Sequence, residues 1–133
     1  MPTKITIFKI RRPTQQNINL ELQWLGSSLG LFGMRDKDKS CFRIFIELIR
    51  ATKQGKGMSS DELGNKLHLS RGTIVHHLHK LKSSGIVVFE DKGYMLRVNK
   101  LKRLITEIEE DMKRTMTEMK EIAEEIDKKL GGN

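Results

Sequence analysis

Between Leu101 and Ile126 apolar residues return every 3.5 positions on average, and this repeat constrains the chain more than any other feature. Ile105, Met112, Met119 and Ile126 hold one core position, Leu101, Ile108, Thr115 and Ile122 hold the other, and Glu and Lys fill most of the rest. Sustained over about four heptads, that spacing predicts a coiled-coil helix. At 1.5 Å per residue, a helix of about 30 residues extends about 45 Å. Such a helix carries one apolar stripe and must bury it against a partner. Two partners are open: a second copy of the chain, or an internal stripe formed by Ile18, Leu22, Leu25, Leu29 and Phe32. The internal stripe is shorter and is interrupted by Gly26, Ser27, Ser28 and Gly30, so the expectation is a homodimer seam.

The remaining bounds come from length and charge. A chain of 133 residues accommodates one compact domain plus an extension. With 37% hydrophobic and 32% charged residues the composition is that of a soluble protein, and no apolar run approaches the roughly 20 residues needed to cross a bilayer. The opening MPTKITIFKIRRP is basic, with only a short apolar run and no small-residue cleavage site, so a cytoplasmic location is expected. The lone Cys41 cannot close an intramolecular disulfide, which agrees with a reducing compartment. Net charge is +8 and unevenly spread: residues 1–98 hold 17 Lys and Arg against 8 Asp and Glu, whereas residues 99–133 hold 8 against 9. A basic body with a nearly neutral tail suggests a polyanionic partner, nucleic acid first among them.

Local patterns divide the chain into an N-terminal extension (1–39), a central domain (40–98) and the long helix (99–133). Thr3 to Arg12 alternates loosely and ends at Pro13, which reads as a short strand. Thr14 can cap a helix carrying the Ile18–Phe32 stripe, and Gly33 with the charged run Met34 to Lys39 makes a connector. Phe42, Phe45, Leu48 and Ile49 give a second helix ending near Gly55 and Gly57. Ser59-Ser60-Asp61-Glu62 fits a capping box that opens a short helix with Leu63 and Leu67. Ser70 can cap another, in which Ile74, Leu78 and Leu81 share a face before Ser83-Ser84-Gly85 stops it. Ile86–Phe89 and Tyr94–Val98 are strand-like, and Gly93 can supply the positive φ of a tight hairpin between them.

Helix, short capped helix, tight turn, second helix, basic hairpin is the order of a winged helix-turn-helix. The expected fold class is therefore mainly α with a small β-hairpin wing, followed by a long C-terminal coiled-coil helix. Within it, Ser60-Asp61-Glu62-Leu63, Leu69-Ser70-Arg71-Gly72-Thr73-Ile74-Val75-His76-His77-Leu78-His79-Lys80-Leu81 and Ser84-Gly85-Ile86-Val87 resemble the ArsR group of bacterial and archaeal regulators. The likeness covers roughly residues 40 to 98, and MarR-type regulators share much of its outline. The resemblance implies a transcription regulator, and by it Lys92 and Arg97 of the wing would reach the DNA backbone or minor groove.

The residues support the same reading independently. A helix in the major groove reads base edges with its N-terminal residues while its opposite face holds it to the body. With Ile74, Leu78 and Leu81 inward, Arg71, Gly72, Val75, His76, His79 and Lys80 lie outward or flanking, Thr73 sits near the entry turn and His77 nearer the body. Arg71 could bridge guanine acceptors and Val75 could touch a thymine methyl. Lys80 and the Ser70 amide end suit phosphates. The expected partner is double-stranded DNA bound by a homodimeric repressor at a palindromic operator.

Other chemistries find less support. His76 and His79, at i and i+3, could share a zinc ion, but no local cluster completes four ligands, so no cofactor or metal is expected. No catalytic triad, paired carboxylates or phosphate-cradling glycine loop has its supporting partners, so an enzyme is not expected. Met112, Met116 and Met119 suit core filling. The rival from another class is a winged-helix docking module of a transcription or chromosome assembly, which the fold alone does not separate from a DNA reader.

Overall fold

A computed structural model of the chain describes residues 3–32 and 39–131. Among these, five helices and a two-stranded antiparallel hairpin follow one another: α1 (Ile18–Ser28), α2 (Ser40–Lys53), α3 (Ser60–Leu67), α4 (Arg71–Ser83), β1 (Val87–Glu90), β2 (Gly93–Leu96) and α5 (Leu101–Lys129). The chain divides into two compact units, Met1–Asn99 and Lys100–Asn133. The first is a winged helix-turn-helix and the second is the long helix.

α2 forms the centre of the first unit. Cys41, Ile44, Phe45, Leu48, Ala51 and Thr52 are buried along it, and α3, α4 and β2 all pack on it. Each fully buried Phe, Leu or Ile contributes about 1.5–3 kcal/mol, so this helix anchors the core. Polar groups fix what the apolar contacts leave free to slide. The Arg43 guanidinium donates to the Leu67 carbonyl at the end of α3, and the buried Glu47 carboxylate pairs with Lys66 of α3 and Arg50 of its own helix, each at 3.0 Å. On the opposite flank the Thr52 hydroxyl donates to the Leu48 carbonyl at 2.7 Å and accepts the Leu96 amide at 2.9 Å, tying β2 to α2.

The N-terminal extension departs from its sequence pattern. Residues 3–12 form neither helix nor strand and join no ladder. Asn17 caps α1, its side chain accepting from the Asn19 and Leu20 amides, so the cap falls three residues later than Thr14. α1 ends at Ser28, and the apolar stripe does not continue as helix to Phe32. The ring of Phe32 instead folds over Gly26, where a Cβ would stand 2.1 Å from Phe32 Cε2, and packs edge-on against Phe42 and Phe45. Gly26 thus makes room for the aromatic contact that docks the extension on α2. Most of the expected connector, residues 33–38, lies outside the described residues.

The capping box before α3 forms as the sequence predicts. The Ser59 amide donates to the Glu62 carboxylate at 3.1 Å and the Ser59 hydroxyl accepts from the Glu62 amide at 3.0 Å. Hydrogen bonding from the Ser59 backbone, then from its side chain, holds the Glu62 carboxyl below its ordinary value. A depressed carboxyl stabilises the fold above its ordinary value, and that contribution is lost as pH falls through the lowered one.

The hairpin corrects one further expectation. Glu90 pairs with Gly93, leaving a two-residue tip in which Asp91 and Lys92, not Gly93, take positive φ (51° and 65°). Positive φ at both tip residues is the mark of a type I′ turn, whose twist suits a hairpin. Gly93 is needed for another reason. Met58 and Tyr94 exchange both main-chain hydrogen bonds, at 2.9 and 2.7 Å, so the segment before α3 meets β2. A Cβ on Gly93 would lie 2.9 Å from the Gly57 carbonyl carbon. Two glycines facing each other let the backbones touch.

Candidate nucleic-acid interface

α3 and α4 meet through a turn of three residues, His68 to Ser70, and backbone geometry sets its sharpness. His68 takes left-handed φ (56°) at the end of α3, and the Leu69 amide donates back to the Gly64 carbonyl at 3.1 Å. A Cβ on Gly64 would stand 3.2 Å from the Leu69 carbonyl oxygen, so this glycine lets the turn fold tightly against α3. Neither Gly64 nor His68 stands out in the sequence, because the need for a close approach is visible only once the two helices are placed.

Ser70 then caps α4. Its hydroxyl oxygen accepts the Thr73 amide at 3.2 Å and donates to the Thr73 hydroxyl at 2.9 Å. Both side chains serve the helix start, a positioning role. Ile74, Leu78 and Leu81 are buried at 2% exposure or less and seat the helix.

The opposite face is open. Arg71, Gly72, Val75, His76 and His79 are all exposed, Val75 at 48%, and a Cβ on Gly72 would meet nothing within 4 Å. Lys82 continues the same exposed face and extends it one turn beyond the residues singled out from sequence. No acidic side chain occurs between Ser70 and Lys82. His77 lies half-buried with its ring 5.2 Å from that of His76. Lys80 turns away from this face: its ammonium donates to the Leu31 carbonyl at 3.0 Å. That bond ties α4 to the segment after α1.

In the hairpin Lys92 is exposed at the tip, and Arg97 lies at the other end, just beyond β2. Phe89, also exposed, packs its ring at a tilt against that of Tyr94, with centroids 4.7 Å apart, beside the tip. Among the described residues no group of three or more His, Cys, Asp or Glu is placed to hold a metal ion.

A tightly turned helix pair, an exposed basic face on the second helix and a hairpin with a lysine at its tip are now together on one unit. Residues 45–95 match a helix-turn-helix domain family, described as HTH domain. The matched segment runs from Phe45 in α2 to Met95 in β2, and so contains α3, α4 and the hairpin tip. Over this stretch the chain is similar to a helix-turn-helix family, a type of domain that binds DNA. No curated protein and no solved structure gave a significant match to the chain. No helix among the described residues is long and apolar enough to cross a membrane.

The long helix offers a second candidate surface. Leu101 and Ile105 are half-buried and Ile108 is buried, so only the later seam residues are open. Met112, Thr115, Met119, Ile122 and Ile126 are exposed, joined by Met116 and Leu130, which the strict heptad reading passes over.

Proposed function

We propose that the chain is a homodimeric, sequence-specific DNA-binding transcription regulator that reads a palindromic operator with α4 in the major groove. The observation that carries this reading is the outer face of α4: an exposed row of Arg71, Gly72, Val75, His76 and His79 without an acidic neighbour, on a segment that matches a helix-turn-helix family. Arg71 in the first turn can present two donors to guanine O6 and N7, and Val75 one turn later can meet a thymine methyl. The start of α4 and Lys92 suit phosphates, which fix register without reading sequence. The narrower ArsR-like identity is supported by the Leu69–Leu81 and Ser84–Val87 words. Dimerisation through the open stripe of α5 supports two-fold symmetry, and repression by occluding polymerase is the simplest outcome of binding.

Two substitutions separate the roles. Arg71→Ala should cost about 1–3 kcal/mol at one base pair of the site and little elsewhere. Lys92→Ala should weaken all sequences alike and flatten the slope of log affinity against log salt by about one unit. Titrations of a panel of singly substituted duplexes at several salt concentrations measure both. Equal losses on every duplex for Arg71→Ala would remove it from base reading.

The docking-module rival makes a different prediction. An exposed apolar stripe would mark a protein-binding α4, whereas Val75 is the only large apolar residue open on that face among the described residues.

A further inference from the structure

The N-terminal arm lies outside the family match and outside the residues assigned to DNA above. Thr3 to Arg12 contains Lys4, Lys9, Arg11 and Arg12 and no acidic residue. All four cations are exposed, and no ion pair among the described residues engages them. The segment is nevertheless held in place along its length. The Lys4 amide donates to the Ser83 carbonyl at 3.0 Å, at the C-terminal end of α4, and the Phe8 amide donates to the Ser28 carbonyl at 2.8 Å. Trp24 Nε1 donates to the Ile10 carbonyl at 3.0 Å. Thr6 and Phe8 close on Gly30, where a Cβ would stand 3.1 Å from Thr6 Cβ and 3.4 Å from Phe8 Cε2.

Ile5 is half-buried, whereas Lys9, Arg11 and Arg12, beyond the pinned Lys4 and Phe8 amides, are all exposed. The start of the arm belongs to the end of α4. Thr3 Cγ2 and Arg97 Nη1 come within 3.6 and 3.8 Å of the point a Gly85 Cβ would occupy, and Lys82 is exposed on the last turn of α4. The arm thus starts beside the last turn of α4 and carries its exposed cations from there.

We propose that the arm is a second DNA-binding element, in which Lys9, Arg11 and Arg12 contact the phosphate backbone flanking the stretch read by α4. The inference rests on the DNA-binding reading of α4 and extends it to a segment that reads no bases. Because the arm is already ordered by its contacts to α1 and α4, binding demands little further ordering of the chain.

The test uses the full chain with Lys9→Gln, Arg11→Gln and Arg12→Gln together, titrated by fluorescence anisotropy against duplex DNA from 50 to 200 mM salt. These side chains are exposed, and an unchanged circular-dichroism melt shows that the fold is intact. Loss of two to three phosphate contacts should make the salt slope shallower by about 2 to 3 units on every duplex, with base preference unchanged. Arg11→Lys with Arg12→Lys should keep the slope, since charge is what acts. A triple variant with the wild-type slope overturns the proposal. If its slope is unchanged while its solution mass falls, the arm belongs to an interface between copies. A wild-type chain without affinity for any duplex would overturn the α4 reading as well, which keeps the two failures apart.

Discussion

Ile122→Asp combined with Ile126→Asp should convert the protein to a monomer and lower its affinity for a two-half-site duplex by about 10²- to 10⁴-fold. Both side chains are about half exposed in the single chain, at 55% and 49%, so the substitution opens no cavity in the winged domain. A two-fold assembly buries them together with Met112, Met119 and their counterparts, and two aspartates at adjacent core positions would place four like charges in an apolar seam. Affinity falls because the second half-site is then no longer engaged at the effective concentration set by the first. Binding to a single half-site should hardly change, because the α4 face is untouched. Mass measurement in solution and titration of one- and two-site duplexes check both halves. A variant that stays dimeric would show that α5 is not the seam.

Leu78→Ala should be among the most destabilising of the small changes in α4, and its neighbour His79→Ala among the least. Leu78 is 2% exposed on the face that packs toward α2 and α3. Truncating it removes three carbons from a close-packed site and leaves a cavity, at a cost of about 2–5 kcal/mol. For a domain of this size the melting midpoint should fall by about 10 °C or more. His79 stands on the open face, and its truncation should shift stability by no more than about 0.5 kcal/mol. It should nevertheless weaken DNA binding. Thermal melts and titrations of the two variants assign the faces of the helix independently of any structure. Comparable losses of stability from both would mean that α4 is not seated by Ile74, Leu78 and Leu81.

Much of the winged domain was legible in the sequence because local signals there agree with the tertiary result. Ser59, Glu62 and Ser70 form the caps their spacing predicts, and the apolar period of Ile74, Leu78 and Leu81 identifies the buried face of α4. The misread positions are those where a distant partner decides. Gly93 looked like a turn glycine, but Gly57 across the wing requires it, and the φ-positive positions fell to Asp91 and Lys92. Residues 3–12 alternate as a strand does, yet no strand among the described residues pairs with them, and isolated hydrogen bonds hold them instead. The Ile18–Phe32 stripe leaves the helix after Ser28, where Gly30 takes positive φ, and the Phe32 ring turns back over Gly26. Lys80 resembled a phosphate ligand from its spacing alone, and only the placement of Leu31 shows where its ammonium is bound.

The central claim is that α4 reads base sequence for a two-fold protein. Selection of bound duplexes from a random pool by the full chain, with the mass of the selected complex measured, tests it most directly. The account predicts an inverted repeat whose half-sites are about 10 base pairs or a multiple apart, bound by two chains. A pool that yields no preferred sequence, with binding that survives only at very low salt, would contradict it and favour a protein-docking role for the winged domain.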